Sequence, residues 1–268
     1  MRAMQLVSGS KFKRAQNQLV QVRAVMEFLD GLLQRVLSAD PEAIQHPLAT
    51  DKPGPTALVL VTSDTGLCGS YNTNLIQLAE SHIRRETAHP MQYLFMGKKG
   101  HRYFTKRGYQ PSLAYLDLAG RPNVARIAEI GRELMSKFLS DEVSSVEIIS
   151  ARFKSAGVAR PAITRWLPVK VEKKAAEPAG KAVDEYIFEP SPEAVFRDLL
   201  PRWALLTFQL AILEAFTSEH SARMIAMKSA TDNAGELIQM LTSQRNRIRQ
   251  AAITKEISEI AGTAEALK

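Results

Sequence analysis

The chain has 268 residues, 45% hydrophobic and 24% charged, which suits one large domain or two small ones with a buried core. It contains no apolar run of about 18 residues, no apolar N-terminal stretch and a single cysteine, so it predicts no transmembrane helix, secretory signal or internal disulfide. The net charge of +7 favours an acidic partner: nucleic acid, an anionic membrane surface or an acidic protein.

The first predicted element is a helix over about residues 1–40, whose first 26 residues carry five basic residues and no acidic one. Apolar or small residues recur in it at alternating steps of three and four, a heptad pattern typical of a coiled coil. They are Phe12, Ala15, Leu19, Val22, Met26, Leu29, Leu33 and Val36. Pro41 ends the pattern, because proline disfavours helix at the residue before it.

The middle segment, residues 56–190, predicts a Rossmann-like α/β domain. Short apolar runs predict strands, and amphipathic stretches between them predict helices, which together favour βαβ units and a mostly parallel sheet. The predicted strands are 57–62, 93–96, 146–151 and 162–167, and the predicted helices are 72–87 and 124–139. A polar stretch with Gly and Pro at residues 170–181 predicts an exposed loop.

The last segment, residues 201–262, predicts one long helix that Pro201 starts or kinks. Sixty helical residues span about 90 Å, too long to be buried in a domain of this size, so the helix needs a partner along its seam. The seam residues again alternate in steps of three and four: Met227, Ala230, Ala234, Leu237, Leu241, Gln244, Ile248 and Ala251. The predicted fold is therefore an antiparallel coiled coil of the terminal helices with the α/β domain inserted between them.

The sequence lacks a recognisable catalytic, cofactor-binding or metal-binding constellation. The run Gly66-Leu67-Cys68-Gly69 follows a strand and precedes a helix, where a phosphate loop would lie, but no Lys-Ser/Thr pair follows it and the third glycine of a dinucleotide fingerprint is missing. The five histidines show no metal-ligand spacing with the cysteine. A scaffold or shaft is favoured over an enzyme.

Several segments of the sequence resemble the gamma subunits of F-type ATP synthases, and together they extend over nearly the whole chain. The C-terminal segments are SARMIAMKSATDNAGELI (221–238) and RQAAITKEISEI (249–260). The others, in chain order, are AMQLVSGSKFKRAQ (3–16), SDTGLCGSYNTNLI (63–76), GKKGHRYFTKRGY (97–109) and YIFEPSPEAVFRDLL (186–200). The resemblance implies a central-stalk rotor subunit, not itself catalytic, at the cytoplasmic face of a bacterial plasma membrane. Its terminal helices would stand in an α3β3 hexamer and its α/β domain on the c-ring beside the epsilon subunit, so that ion-driven rotation is coupled to ATP synthesis or hydrolysis.

The resemblance also implies four groups of subunit-contact residues, and each group is assigned from its position in a matched segment. These are Met4, Lys11 and Arg14 beside an acidic lever of the β subunits, Asp64, Thr65 and Cys68 in a turn near the same lever, Tyr186, Phe188 and Glu189 facing polar loops of the c-ring, and Arg249, Gln250 and Thr254 at loops of the β subunits.

Two other interpretations compete with the rotor. One is a coiled-coil adaptor, or a gamma-like paralogue without full rotary coupling. The other is a nucleic-acid binder, which the charge alone suggests and which predicts strongly salt-dependent binding. Family members usually carry several helical turns before the AMQLVSGSK segment, whereas in this sequence that segment begins at Ala3. A misassigned start codon, a trimmed chain and a stalk with one short strand are the three interpretations of that difference, and the last would leave the upper stalk as a single helix.

Overall fold

The computed structural model describes residues 2–39, 45–86, 90–118, 123–170 and 188–266. Its elements in chain order are α1 (Arg2–Ala39), a short 3-10 helix (Pro47–Ala49), β1 (Thr56–Val61), α2 (Tyr71–Arg85), β2 (Met91–Met96), α3 (Lys98–Thr105), β3 (Pro111–Tyr115), α4 (Val124–Leu139), β4 (Ser145–Ser155), β5 (Val158–Leu167) and α5 (Pro192–Ala266).

The five strands form one sheet in the order β3-β2-β1-β4-β5. The pairs β1–β2, β1–β4 and β2–β3 are parallel and β4–β5 is an antiparallel hairpin, so the predicted Rossmann-like α/β domain with a mostly parallel sheet is confirmed. The chain winds outward from β1 to β3 and then crosses to β4 on the other side. The carboxyl ends of β1 and β4 are therefore the point where the winding direction reverses.

The sequence did not predict α3 or β3. Helix α3 is short, and its Gly100 packs so tightly that an added Cβ would lie 2.9 Å from the Thr62 hydroxyl oxygen. Strand β3 begins with a proline and forms an edge of the sheet, where its side chains are only partly buried. Neither segment carries the long apolar run that marks the buried strands.

The sheet separates two hydrophobic layers. One face packs against α2 and α3, with Leu75, Phe95 and Phe104 among its buried residues. The other face packs against α4 and α5, where Phe138 and Phe208 are fully buried. Helix α1 lies on the outer side of α5 and shares this second layer through residues such as Leu19 and Leu33.

Helices α1 and α5 pair in opposite directions, which confirms the antiparallel coiled coil. Residue numbers fall along one helix as they rise along the other: an added Cβ at Gly9 would lie 3.5 Å from the Met224 sulfur, Arg23 bonds Glu214 at 2.5 Å, and Asp30 accepts from Trp203 at 2.5 Å. Five of the eight predicted seam residues of α1 are buried: Ala15, Leu19, Met26, Leu33 and Val36. The other three, Phe12, Val22 and Leu29, are half-buried.

Helix α5 differs from its prediction at both ends. It begins at Pro192 and runs through Pro201, so Pro201 does not start it. Its predicted seam is covered at Met227 but bare further on, with Leu237, Leu241 and Ile248 each more than half exposed. The helix also contains a stretch that is long and apolar enough to cross a membrane, by length and composition only, and half of that stretch is buried inside the molecule.

His46 compensates for the proline inside α5. Pro201 has no N–H, so the carbonyl of Arg197, four residues earlier, loses its helical partner. The His46 Nδ1 accepts from the Leu48 N–H at 3.0 Å, so in the neutral ring Nε2 carries the proton. The ring also lies near enough to Arg197 for its backbone and its side chain to act on the pKa of His46, and we assign the Arg197 carbonyl as the partner of Nε2. Burial lowers the pKa of His46, which agrees with a neutral ring.

We expect His46→Ala to lower the free energy of unfolding by about 2 kcal/mol, because two backbone groups lose their partners. In a Pro201→Ala chain the restored N–H can bond Arg197, so the same change should cost only about 1 kcal/mol there. Urea unfolding of the four chains measures both values. Equal costs in the two backgrounds would disprove the assignment of Arg197 to His46.

Candidate interaction surfaces

The predicted contact residues fall at three levels along α5. Met4, Lys11 and Arg14 lie on exposed parts of α1, near the segment of α5 around Met224. Arg249, Gln250 and Thr254 are exposed on the bare part of α5, about 40 Å beyond that segment. Phe188 and Glu189 lie just before α5, about 45 Å in the other direction, where Phe188 packs against the core and Glu189 is exposed. Tyr186 lies outside the described residues.

The remaining group lies in the connection from β1 to α2, here called turn 62–70. Asn72 holds its interior: its Oδ1 accepts from the Ser63 N–H at 3.0 Å and its Nδ2 donates to the Cys68 sulfur at 3.1 Å. Asp64 accepts from the backbone N–H of Lys98 at 2.9 Å, which joins the turn to the first turn of α3. Thr65 is exposed, whereas Cys68 is 2% exposed. The thiol therefore supports the turn from inside and offers no outer surface.

Arg223 of α5 fastens this turn to the long helix. Its Nε donates to the Gly66 carbonyl and its Nη2 to the Thr65 carbonyl, both at 3.1 Å. The same Nη2 lies 2.7 Å from Glu219 Oε1, one helical turn earlier, and the two side chains are only 8% and 1% exposed. A planar guanidinium can hold two carbonyls and a carboxylate at fixed angles, which a lysine cannot.

The ion pair belongs to a buried polar group that includes His220. Burial raises the pKa of Glu219, and Arg223 opposes that rise. Neither Glu219 carboxylate oxygen accepts a well-aligned hydrogen bond, so its link to Arg223 is mainly a charge contact. Burial, with Arg223 and Lys11, lowers the pKa of His220 to about 4, so its ring is neutral at pH 7. Lys11 of α1 also lowers the pKa of Glu219 through its charge, so it lies near this polar group.

Helix α5 packs beside the place where a doubly wound sheet usually binds a ligand. Such sheets bind ligands in the crevice at the carboxyl ends of the strands where the winding reverses, here β1 and β4. In this chain Arg223 occupies the end of β1 by bonding the turn carbonyls. The Gly66-Leu67-Cys68-Gly69 run thus forms a turn that binds the chain's own helix, in agreement with the missing phosphate-loop residues.

Sequence reasoning missed Glu219, His220 and Arg223 as a unit. Glu219 and Arg223 stand four apart, which allows a pair on one helical face, and they interrupt a mostly apolar stretch of α5. That spacing was the available signal. Their burial depends on turn 62–70 and α1 closing over them, which helical periodicity does not report.

Comparisons with known proteins agree with this architecture. A family model described as "ATP synthase" matches residues 1–267. The chain is 40% identical over 268 residues to the "ATP synthase gamma chain" of Moorella thermoacetica and 41% identical over 268 residues to that of Desulforamulus reducens, covering 100% of this chain and 93% of each relative. The chain belongs to the ATP synthase gamma-chain family, and the central-stalk rotor role that its motifs predicted is confirmed.

Solved structures share the fold. The central stalk and c-ring structure of the Tetrahymena thermophila mitochondrial ATP synthase has a chain that aligns with a TM-score of 0.64 at 22% identity, covering 86% of this chain and 98% of that one. A chain of the Euglena gracilis mitochondrial enzyme aligns with a TM-score of 0.56 at 17% identity, covering 100% of this chain and 95% of that one.

We expect Arg223→Met to lower the free energy of unfolding by about 3–5 kcal/mol, because Glu219 is left as a buried charge without its counter-ion. Adding Glu219→Met should recover most of that loss and leave about 1–2 kcal/mol for the unbonded carbonyls. Urea unfolding measures both. Lys255→Met, in an exposed ion pair, is the control and should cost less than about 0.5 kcal/mol. A double variant as unstable as the single one would contradict this account.

Acid should destabilise the chain through His220. Its folded pKa of about 4 lies below the ordinary 6.5, so its contribution to stability is complete above pH 6.5 and is lost as the pH falls toward 4. The loss amounts to about 3 kcal/mol across that window. Urea unfolding between pH 7 and pH 4.5 should show a shallower decline for His220→Gln, whereas His101→Gln on α3 should follow the wild type. An unchanged slope in His220→Gln would argue against a neutral buried ring.

Proposed function

We propose that the chain acts as a non-catalytic coupling subunit that turns inside an α3β3 hexamer of catalytic subunits. The observation that carries this proposal is the shape of α5: beyond the last contacts with α1, it projects for about 50 Å with apolar and basic side chains exposed. Exposed apolar side chains are stabilised when another protein surface removes them from water, so this part of α5 suits a surrounding protein.

The mechanism follows from asymmetry. A rotor whose helices are not symmetric about its long axis offers a different surface to each of three surrounding subunits at any angle. Each subunit then favours the conformation that best fits the surface it faces, and rotation shifts these populations in turn. The rotor needs no catalytic group for this, only rigidity and directional contacts.

The predicted contact residues have suitable places for this work. Arg249, Gln250 and Thr254 lie on the projecting helix, where the Thr254 hydroxyl donates to the Gln250 carbonyl at 2.9 Å and keeps its lone pairs free to accept. Lys11 and Arg14 are exposed cations on α1, suited to an acidic lever. Phe188 and Glu189 lie at the base of the molecule. With Tyr186, they are the residues assigned to the c-ring.

The base of the molecule is proposed to stand on the c-ring, beside the epsilon subunit. The Tetrahymena structure carries its matching chain in a central stalk with a c-ring, which supports this placement. The chain would then be peripheral, held at the cytoplasmic face of a bacterial plasma membrane through the complex.

The decisive experiment reconstitutes the chain with ATP synthase α and β subunits. Formation of an α3β3-containing complex with ATP-driven rotation of a bead attached to the chain is the expected result. A complex that hydrolyses ATP without rotating the bead would favour the gamma-like paralogue without coupling. Absence of any complex would refute the rotor assignment.

We expect Arg249→Ala with Gln250→Ala to weaken binding of the chain to the α and β subunits by about tenfold, because the directional contacts at the tip are lost. The isolated chain should keep its melting temperature, since both side chains are exposed. Dissociation from the purified complex, followed by gel filtration, measures the effect. Arg132→Ala, an exposed arginine on α4, is the matched control and should bind as the wild type does. Equal binding of all three chains would remove the tip from the contact surface.

A further inference from the structure

The β4–β5 hairpin extends beyond the parallel part of the sheet. Strand β4 pairs with β1 as far as Ile149, opposite Leu60, whereas its pairing with β5 continues to Ser155, opposite Val158. Residues 150–162, here called the hairpin arm, therefore project about 20 Å past the end of β1 as a two-stranded ribbon. Such a ribbon is only marginally stable alone in water, so the contacts along it decide its position.

The edge of the arm is bonded by side chains of the two long helices. Carbonyls of alternate residues point to the same side of a strand, and those of Ala151 and Phe153 lie beyond the pairing with β1. The Ala151 carbonyl accepts from the Ser218 hydroxyl of α5 at 3.3 Å. The Phe153 carbonyl accepts from Arg23 Nη2 of α1 at 3.2 Å. The coiled coil thus occupies the place of a neighbouring strand at this edge.

The tip of the arm is fixed to α5 as well. The Gly157 N–H donates to the Ser221 hydroxyl at 3.0 Å, and a Cβ at Gly157 would lie 3.0 Å from Ile225 Cδ1. A cavity of about 250 Å³ lies between the arm, α5 and the start of α2. Because a cavity has no packed atoms to hold its walls, directed hydrogen bonds are needed to position the arm there.

Arg23 joins three elements at one point. Its Nη2 donates to the Phe153 carbonyl of β4 and also lies 2.5 Å from Glu214 Oε1 of α5. The Phe12 ring of α1 packs against the Phe153 ring, with centroids 5.9 Å apart, and Phe153 is buried. One planar guanidinium therefore fixes α1 both to α5 and to the α/β domain.

A turning shaft passes on rotation through both of its helices only if each is fixed to the domain that turns. Arg223 joins the α/β domain to α5, and Arg23 joins it to α1. The two joints are about 14 Å apart along α5, from Glu214 to Arg223 at 1.5 Å per residue. The buried seam residues of α1 between these levels, Ala15 and Leu19, are apolar and give no directional bond.

We infer that Arg23 and the hairpin arm form a second coupling joint, through which torque at the α/β domain reaches α1. Arg23 is a positioning residue in this role, because it acts by holding α1 against the arm and α5. The inference deepens the proposed function and rests on it, since torque exists only in a turning shaft. It concerns a joint inside the chain, separate from the predicted contacts with other subunits.

A double variant, Arg23→Met with Glu214→Met, tests this joint. It removes the bond to the arm without leaving a charge unpaired, so the free chain should melt within about 2 °C of the wild type. Assembled with the other ATP synthase subunits in sealed membrane vesicles, it should hydrolyse ATP at the wild-type rate. The number of ions pumped per ATP should fall by about half, because α1 has lost its charge-assisted bond to the domain.

Two further variants separate coupling from stability. Arg23→Lys keeps a charge beside Glu214, and therefore the fold, but a lysine cannot hold both acceptors at fixed angles, so pumping per ATP should again fall. Trp203→Phe is the matched control, because the bond from Trp203 to Asp30 joins α5 to α1 without reaching the arm. Its free chain should melt roughly 2–4 °C lower, whereas its pumping per ATP should equal that of the wild type.

The measurements are the melting temperature of each free chain and the rates of ATP hydrolysis and ion pumping of each complex. A wild-type pumping ratio in either Arg23 variant overturns the inference and leaves the proposed function intact. An equal fall in Trp203→Phe would show that pumping follows stability, which also overturns it. If the wild-type chain forms no pumping complex, the proposed function fails and the second joint fails with it.

Discussion

The contact on which the rest of this structure depends is the reach of Arg223 across to the carbonyls of Thr65 and Gly66. It joins the long helix to the carboxyl end of the first strand, so the α/β domain cannot swivel about α5 at this level. It also places an arginine of the long helix at the carboxyl end of β1, beside the crevice in which a related sheet would bind a small ligand. One side chain thus joins the α/β domain to the long helix.

A buried ion pair is not the most stabilising way to make this contact. Removing both charges from water costs several kcal/mol, and the attraction between the charges offsets this cost only in good geometry. A hydrophobic contact of equal size would hold the helix at least as firmly. It would not fix the angle, however, since apolar packing is non-directional. The guanidinium bonds two successive carbonyls at once, and this geometry permits a single register of turn against helix. Directional bonding suits a part that must pass on rotation without slipping.

The sequence predicted those features that repeat and missed those that depend on a single long-range contact. Heptad steps identified both helices of the coiled coil, and apolar runs identified four of the five strands. Periodicity could not place the start of α5, because Pro201 lies inside the helix and His46, the side chain assigned to its freed carbonyl, is about 150 residues away in the chain. Burial of Glu219 and exposure of Leu67 were likewise invisible, since both follow from how α1, α5 and the turn meet. Family resemblance supplied candidate contact residues by position, but it could not tell that the thiol of Cys68 faces inward.

The same joint explains why the two ends of α5 differ in character. Below Arg223 the helix is surrounded by the sheet, α4 and α1, and its side chains are largely buried. Beyond about residue 234 the side chains of α5 are exposed in the described chain, and apolar residues continue along the exposed helix. Most helical stability in proteins comes from packing and not from intrinsic propensity, so the order of the upper part depends on packing beyond that of the described residues. In such a stalk, packing against the α/β domain fixes the lower part of α5, whereas the exposed upper part can adjust to its partners. The turn with Leu67 lies between these two parts.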